Sequence, residues 1–280
     1  MKLKAKLVLF LFVLLSFFSV CTAEDFWMKL GFENETRRIF YTVQDEIYIG
    51  TTDGKMLVSK DKGYNWDSIP NPLNDLVYSN LEFIDENGNY MITVGASGSF
   101  YIAHKDTLIW RQMPNAPDGS LYIKEYKSCL YSLNWGGVTK SNEDWTEWTK
   151  VLEKSNTSQF NAFVVDSIGT VYVGSINPMA GKEEGIYRSF DCGVTWEWYP
   201  ERFAVFTMAV DKDGRIFAGC FDKILRSTDN GNSWQNVQNL SAWPYCMLIN
   251  GIDEIYIGAS NDWFFGGVAI SKDHGDSAIS

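Results

Sequence analysis

The sequence has few of the residues on which most enzyme chemistry depends. Only two histidines occur among its 280 residues, His104 and His274. It has no Cys-x-x-Cys pair, no glycine-rich phosphate loop and no Asp-x-Asp-x-Asp-Gly calcium loop. These absences exclude the common motif-defined metal and nucleotide sites. We therefore predict no bound metal and no cofactor.

Positive charge is also scarce. The chain has 24 Lys and Arg residues against 35 Asp and Glu residues, for a formal net charge of −11. An acidic chain repels nucleic acid and anionic membrane surfaces. We expect neither as a partner.

Only one long apolar run is present, at residues 7–20, after three lysines and before the small residues of 21–23. This order is typical of a secretory signal peptide, and the run is shorter than the roughly 20 residues of a membrane-spanning helix. We predict a signal peptide at 1–23, one domain at 24–280 and a secreted or periplasmic protein. Lipid attachment at Cys21 and an uncleaved anchor are the alternatives.

Sustained helical periodicity is absent after residue 23, and short β-type segments recur instead. Six of them resemble an apolar–aromatic–apolar–Gly pattern: 47–50, 92–95, 130–133, 171–174, 216–219 and 255–258. The second has Thr93 in the aromatic place, and the third has Ser132 and Leu133 in the last two places. Each unit of about 40 residues contains four strand candidates separated by turn residues, the size of a propeller blade.

A second repeated element has the pattern Ser-x-Asp-x-Gly-x-polar-Trp, and we call each copy a box. Clear copies are 59–66, 189–196 and 227–234, a broken one is 271–276, and degenerate ones are 103–110 and 141–148. The structural residues of the box are Ser59, Asp61, Gly63, Trp66, Ser189, Asp191, Gly193, Trp196, Ser227, Asp229, Gly231, Trp234, Ser271, Asp273 and Gly275. In a hairpin, Asp can accept hydrogen bonds from turn amides, Gly permits positive φ, and Trp buries its ring with its N–H seeking a partner. We interpret the box as a structural hairpin turn.

These residues resemble the Asp-box, or BNR, repeat, and with the flanking strands the resemblance covers essentially residues 27–280. The family includes sialidases, sortilin-type receptors, xyloglucanase-like glycoside hydrolases and photosystem assembly-factor-like proteins. The resemblance implies a β-propeller, and functions within that fold diverge.

We therefore predict an all-β, six-bladed β-propeller of four-stranded antiparallel blades. The last unit lacks its fourth strand after the box, and residues 27–30 match the strand that follows each box Trp. This N-terminal strand would complete the last blade and remove an open edge. A truncated chain that once had a seventh blade is the alternative.

Strand order predicts two ends. The boxes lie at one end, and the second-to-third-strand loops and the connections between blades lie at the other. Loops carrying aromatic side chains on a rigid scaffold are where ligands tend to bind. The candidate ligand-binding residues are Arg38, Trp135, Asp222, Trp243, Asp262 and Trp263. The aromatic members could instead fill space between blades.

Two functions fit these observations. The first is a binding or scaffold module for a protein or glycan, and we expect it to be a monomer. The second is a sialidase-like glycoside hydrolase. Sialidases need three arginines that converge on the substrate carboxylate, and Arg38-Ile39-Phe40 lacks the proline of their Arg-Ile-Pro motif. We interpret three other arginines as structural residues of the blades: Arg188, Arg215 and Arg226. No catalytic residues can be assigned.

Four cysteines follow the signal segment: Cys129, Cys192, Cys220 and Cys246. Export permits disulfides, and four cysteines allow three pairings that sequence cannot distinguish. The simpler interpretation is four small buried thiols.

Overall fold

The computed structural model describes residues 36–41, 46–51, 55–61, 64–70, 82–84, 90–94, 100–104, 106–134, 136–153, 159–176, 185–199, 204–250, 253–261 and 265–276. These belong to the compact unit Thr36–Ser280, and the other unit is Met1–Glu35. The described residues form 23 β-strands and no helix, which confirms the all-β prediction. In that part of the chain no helix is long and apolar enough to cross a membrane.

The strands form six antiparallel sheets in chain order. Sheet one contains β1 (Thr36–Tyr41), β2 (Ile47–Thr51), β3 (Met56–Ser59) and β4 (Asp67–Ile69). Sheet two contains β5 (Glu82–Ile84), β6 (Tyr90–Val94), β7 (Phe100–His104) and β8 (Arg111–Gln112). Sheet three contains β9 (Ser120–Tyr126), β10 (Cys129–Asn134), β11 (Gly137–Ser141) and β12 (Trp148–Glu153).

The second half of the chain repeats the order. Sheet four contains β13 (Gln159–Val165), β14 (Val171–Ile176), β15 (Gly185–Ser189) and β16 (Glu197–Tyr199). Sheet five contains β17 (Val205–Val210), β18 (Ile216–Cys220), β19 (Lys223–Ser227) and β20 (Gln235–Asn239). Sheet six contains β21 (Trp243–Ile249), β22 (Ile255–Asn261) and β23 (Phe265–Ser271).

Neighbouring sheets meet through their first strands. From sheet two onward, β5 contacts β9, β9 contacts β13, β13 contacts β17, and β17 contacts β21. Four-stranded antiparallel sheets that pack in sequence order through their first strands form the architecture of a β-propeller. The proposed N-terminal strand at 27–30 lies outside the described residues.

The apolar–aromatic–apolar–Gly segments are the buried second strands. Every residue of β18 is buried, and so are Tyr131 of β10 and Tyr172 of β14. Two of these aromatic rings pack toward the next sheet: a Cβ added at Gly231 would lie 3.3 Å from the Tyr172 ring, and one at Gly275 would lie 3.3 Å from the Phe217 ring. The box glycines Gly231 and Gly275 therefore leave room for an aromatic side chain of the preceding sheet.

Each clear box forms one hydrogen-bonded turn between the third strand and the strand that follows it. In sheet five the Ser227 hydroxyl donates to Asp229 Oδ1 at 2.8 Å, and the amide of Gly231 donates to Ser227 Oγ at 2.8 Å. Asp229 also accepts from the Ser233 amide at 2.8 Å and from the Ser233 hydroxyl at 2.6 Å. The aspartate thus satisfies the polar groups of a tight turn that has no ladder partners.

The same contacts recur in the other boxes. Thr195 donates to Asp191 as Ser233 does to Asp229, and Asn65 donates to Asp61. In the broken box the Ser271 hydroxyl donates to Asp273 Oδ1 at 2.8 Å. Gly63 lies outside the described residues.

The degenerate box at 141–148 is built differently. Its acceptor is Asn142, one residue after the serine rather than two, and Asn142 Oδ1 accepts from the Thr146 amide at 2.8 Å. The positive-φ pair of the clear boxes, Asn230 (57°) with Gly231 (77°), is replaced by a single residue, Trp145 at 59°. An amide can therefore replace the box carboxylate.

Box tryptophans partly bury their rings, but not every indole N–H has the hydrogen-bond partner that the sequence predicts. The indole nitrogens of Trp148, Trp196 and Trp234 are buried and have no hydrogen-bond partner among the described residues. Trp110 is different, because its Nε1 donates to the Pro70 carbonyl at 2.8 Å. Ring burial, which contributes most of the free energy of an aromatic side chain, outweighs the missing hydrogen bond.

All four described cysteines are free thiols. The prediction of a buried thiol holds for Cys220, which is fully buried in β18. It is wrong for Cys246, which is exposed because its position in β21 lies beside a bulge. Cys129 and Cys192 are half-buried.

Candidate functional site

Four aromatic side chains meet at the end of sheets five and six that is opposite to the boxes. They are Phe206 near the start of β17, Phe221 in the β18–β19 turn, and Trp243 and Tyr245 at the start of β21. We call this group the aromatic cluster. Antiparallel strand order places the starts of first strands and the second-to-third-strand turns at one end, so residues distant in sequence come together.

The rings of the cluster are in mutual contact. Phe221 and Trp243 have centroids 4.8 Å apart, and Phe206 stacks on Trp243 at 6.0 Å with an interplanar angle of 17°. Tyr245 meets Phe206 edge-on at 6.0 Å. Offset and edge-to-face contacts at these separations are the favourable geometries for aromatic pairs. The cluster is therefore ordered by its own contacts before any ligand binds.

Two members of the cluster remain open to solvent. Phe221 is 49% exposed and Tyr245 is 51% exposed, whereas Phe206 and Trp243 are only partly exposed. A large apolar surface that the fold leaves in water marks a recognition site more often than an isolated exposed side chain does. Trp243 and Phe206 form the base of this surface, and Phe221 and Tyr245 form its exposed part.

Backbone bulges put two of these rings in place. The register of β17 on β18 shifts between Val205 and Thr207, so Phe206 is an extra residue. The register of β21 on β22 shifts in the same way between Pro244 and Cys246, at Tyr245. A bulge redirects the side chain of its extra residue away from strict alternation.

The bulge is a repeated feature of the first strands. It occurs opposite the same position of the second strand in five sheets, with extra residues Arg37, Leu121, Asn161, Phe206 and Tyr245. From β9 to β21 consecutive first strands are in contact, so the bulges of sheets three to six form a series at one level. The extra residue differs in all five sheets, so the bulge does not depend on one residue type.

The repeated glycine of the second strand has a steric reason at this level. A Cβ at Gly174 would lie 2.4 Å from Val205 Cγ1, and one at Gly219 would lie 2.6 Å from Thr207 Cγ2. At these glycines the second strand lies too close to first-strand side chains of its own sheet and of the next sheet to accommodate a side chain of its own. The glycines therefore provide the space that the strands need beside the bulges.

One charged pair borders the cluster. Asp222 follows Phe221 directly, is exposed, and lies 3.8 Å from Lys223 Nζ through Oδ1. Its carbonyl accepts a 2.7 Å hydrogen bond from the Leu240 amide. This bond ties the turn that carries Phe221 to the connection between sheets five and six, so the turn is anchored on both sides.

The structure describes only part of the site predicted from sequence. Trp243 and Asp222 are brought together at the cluster, and Arg38 lies in β1 opposite Gly50, next to the bulge at Arg37. Trp135, Asp262 and Trp263 lie outside the described residues. Phe206, Phe221 and Tyr245 were missed as individual site residues. Alignment of the six first strands could have found Phe206 and Tyr245, because both interrupt the register at an equivalent position.

The opposite end is occupied by structural contacts. Arg188 donates to the Asn230 carbonyl at 3.0 Å, and Arg226 donates to the His274 carbonyl at 2.8 Å. Arg215 Nη2 lies 2.7 Å from His274 Nδ1. These arginines join neighbouring sheets, and the described residues contain no group of three potential metal ligands.

No family model matches the chain. In sequence it is similar to an oligoxyloglucan-reducing end-specific xyloglucanase from Emericella nidulans, with 22% identity over 235 residues that cover 70% of this chain and 26% of the relative. The chain thus spans about a quarter of that protein's length.

Several solved structures share the fold. The extracellular domain of BT4673 from B. thetaiotaomicron has a TM-score of 0.68 at 12% identity and matches 90% of this chain and 34% of its own. YCF48 bound to D1 peptide has a TM-score of 0.66 at 15% identity, and the match covers 90% of this chain and 82% of YCF48. A GH74 xyloglucanase from Xanthomonas campestris has a TM-score of 0.64 at 15% identity, and the match covers 83% of this chain and 44% of the xyloglucanase. At these identities the likeness concerns the fold, and it supports a β-propeller.

Proposed function

We propose that this chain is an exported β-propeller that binds a protein or glycan ligand at the aromatic cluster. The observation that carries the proposal is the contact of four aromatic rings from two sheets, with Phe221 and Tyr245 half-exposed. Preformed aromatic surface lowers the entropic cost of binding, because few rotamers are lost when a ligand arrives.

The scaffold belongs to the same proposal. Residues 1–23 act as a signal peptide and residues 24–280 form a six-bladed propeller that binds as a monomer. The strand at 27–30 completes sheet six. Support comes from the order of the six sheets and from neighbours that include an extracellular domain and a peptide-bound protein of the same fold.

The binding proposal is tested by calorimetric titration with xyloglucan oligosaccharides and with a library of aromatic-rich peptides. We expect Phe221→Ala and Tyr245→Ala each to weaken binding about tenfold, because an anchor side chain contributes about 1–2 kcal/mol. Tyr64→Ala is the matched control: Tyr64 is 69% exposed but lies in the box of sheet one. Binding that survives both cluster substitutions would contradict the site.

A glycoside hydrolase is the second candidate, favoured by the xyloglucanases found in both sequence and structure comparisons. Such enzymes need two carboxylates about 5–10 Å apart. Asp222 is the described acid beside the cluster, and its partner would come from outside the described residues. The sialidase version has less support, because Arg188, Arg215 and Arg226 make contacts between sheets. Release of reducing sugar from xyloglucan oligosaccharides that stops in Asp222→Asn would establish hydrolysis.

A further inference from the structure

Two of the four cysteines lie at the boundary between sheets three and four. Cys129 is the first residue of β10, and Cys192 lies in the box turn after β15. Both pack against the same hydrophobic cluster, which contains Tyr131 and Val171. The sequence alone left three pairings open, and this placement distinguishes among them.

The position of Cys192 is fixed from sheet three. The Tyr131 hydroxyl donates to the Cys192 carbonyl at 3.1 Å, and Lys140 Nζ donates to the same oxygen at 3.3 Å. Cys129 and Tyr131 are two residues apart in one strand, so their side chains lie on the same face. The thiol of Cys129 is therefore directed toward the sheet that carries Cys192.

Equivalent residues in other sheets show in which direction a side chain at the Cys129 position points. In sheet one, Tyr48 donates from its hydroxyl to Glu46 at 2.7 Å, and in sheet six Tyr256 donates to Glu254 at 2.8 Å. Glu46 and Glu254 occupy the position of Cys129, two residues before the tyrosine. In sheet three that tyrosine hydroxyl is the group that contacts Cys192.

The boundary between sheets five and six supplies a direct precedent. Arg215 occupies the Cys129 position and His274 occupies the Cys192 position of the next box. Their side chains meet, with Arg215 Nη2 2.7 Å from His274 Nδ1. Long side chains at these two positions therefore meet across this boundary, and at the boundary of sheets three and four both positions are cysteines.

The other two cysteines are directed elsewhere. Cys220 is fully buried with Sγ 3.7 Å from the Ala218 carbonyl of its own sheet. Cys246 is exposed with Sγ 4.0 Å from the Gly258 carbonyl of sheet six. Both of these sulfur contacts lie within the cysteine's own sheet.

We propose that Cys129 and Cys192 form a disulfide that joins sheet three to the box turn of sheet four in an oxidising compartment. The oxidant is an exchangeable disulfide, either of a thiol–disulfide oxidoreductase or of oxidised glutathione. One cysteine thiolate attacks it, forms a mixed disulfide and releases one thiolate. The second cysteine thiolate attacks the mixed disulfide and releases the other, so two electrons and two protons leave the pair.

Burial raises the pKa of the Cys129 thiol, so uncatalysed exchange through this residue accelerates as pH rises. Cys192 lies at a positive φ of 59° in a surface turn. Bond formation requires the two sulfurs to reach the narrow geometry that a disulfide demands.

The test uses full-length protein equilibrated with oxidised glutathione, digested without reduction and analysed by mass spectrometry. We expect one peptide pair joined through Cys129 and Cys192, with Cys220 and Cys246 still open to alkylation after unfolding. Cys129→Ser and Cys192→Ser should each abolish the linked pair, and Cys246→Ser should leave it intact. The oxidised protein should melt about 5–10 °C higher than the reduced protein.

Free thiols at both Cys129 and Cys192 after this treatment would overturn the inference, and so would a bond from either residue to Cys220 or Cys246. The readout is covalent and comes from the wild-type chain, so it does not depend on a variant that folds. It is also independent of the ligand at the aromatic cluster, so failure of one proposal is distinguishable from failure of the other.

Discussion

Arg226 Nη1 in sheet five donates a 2.8 Å hydrogen bond to the backbone carbonyl of His274, in the box of sheet six. The residue before the box serine makes this contact at two further boundaries. Arg188 reaches Asn230, and Lys140 reaches Cys192. All three acceptors have φ between 57° and 59°. The left-handed turn of each box thus presents a carbonyl to a cation of the preceding sheet.

We predict that Arg226→Ala lowers the free energy of unfolding by about 1.5–3 kcal/mol, the usual effect of losing a hydrogen bond from a charged group. The Arg226 side chain is only 14% exposed, so water replaces the contact poorly. Arg226→Lys should retain most of the stability, because Lys140 makes the equivalent contact. Urea unfolding measures both.

Arg226 also pairs with Asp276 at 2.8 Å, but Asp276 is 68% exposed. Exposed ion pairs contribute little, so Asp276→Ala should change stability by less than about 0.5 kcal/mol. A loss in Asp276→Ala as large as in Arg226→Ala would show that the ion pair, not the carbonyl contact, joins the sheets.

The box aspartates predict acid sensitivity. Hydrogen bonds from the Ser233 side chain and backbone lower the pKa of Asp229 to about 2, and Thr195 does the same for Asp191. The unfolded chain keeps the ordinary 3.8, so it binds more protons between these values. The stabilisation is complete above about pH 4 and is lost as pH falls toward 2.

Asp229→Asn should make the melting temperature less dependent on pH between about 5 and 2. The hairpin should persist, because Asn142 fills the same role in the degenerate box with bonds of 2.8 Å and 3.1 Å to Thr146. Scanning calorimetry across this range compares the two proteins. Equal slopes would assign the acid sensitivity to other carboxylates.

The sequence predicts the structure correctly where a repeated motif forms a local turn or strand. Asp, Gly and Trp at fixed spacing predict a hairpin turn, and alternating apolar residues predict strands, so the all-β class and the antiparallel four-stranded sheets could be predicted. The turn at 141–148 shows the limit of this reasoning. A shift of the acceptor to Asn142 is a rearrangement of hydrogen bonds that the residue types do not reveal in advance.

The site was harder to predict because its geometry depends on register between strands. A bulge at Phe206 or Tyr245 leaves no signature within its own strand, and its position becomes apparent only when the first strands of the sheets are compared. Only one ring of the cluster, Trp243, was chosen from sequence. Its contacts with Phe206 and Phe221 join segments from different strands, and such contacts follow from tertiary packing rather than from propensity.

The glycines beside the bulges provide a steric test. We predict that Gly174→Ala costs about 1–3 kcal/mol, as overpacking of a core does. Its Cβ would lie 2.4 Å from Val205 Cγ1 and 2.9 Å from the Ala162 Cβ, and both neighbours are buried. Gly258→Ala should be milder, because among the described residues its Cβ meets only Cys246 Sγ, at 2.5 Å. Cys246→Ala should then remove the cost, and a persistent cost in the double variant would point to backbone strain instead.

The proposal that residues 27–30 complete sheet six makes a prediction about register. In sheet one the residue before the box serine, Val58, pairs with Asp67, the residue after the box Trp. The same rule pairs Ile270 with Met28 and Val268 with Leu30. Cysteines introduced at positions 28 and 270 should therefore cross-link rapidly under mild oxidation, since directly opposed residues have Cβ atoms about 4.5–5.5 Å apart. Cysteines at positions 28 and 268 are the matched control and should link more slowly, because that pair is diagonal. Equal rates, or linkage between chains rather than within one, would contradict closure by this segment.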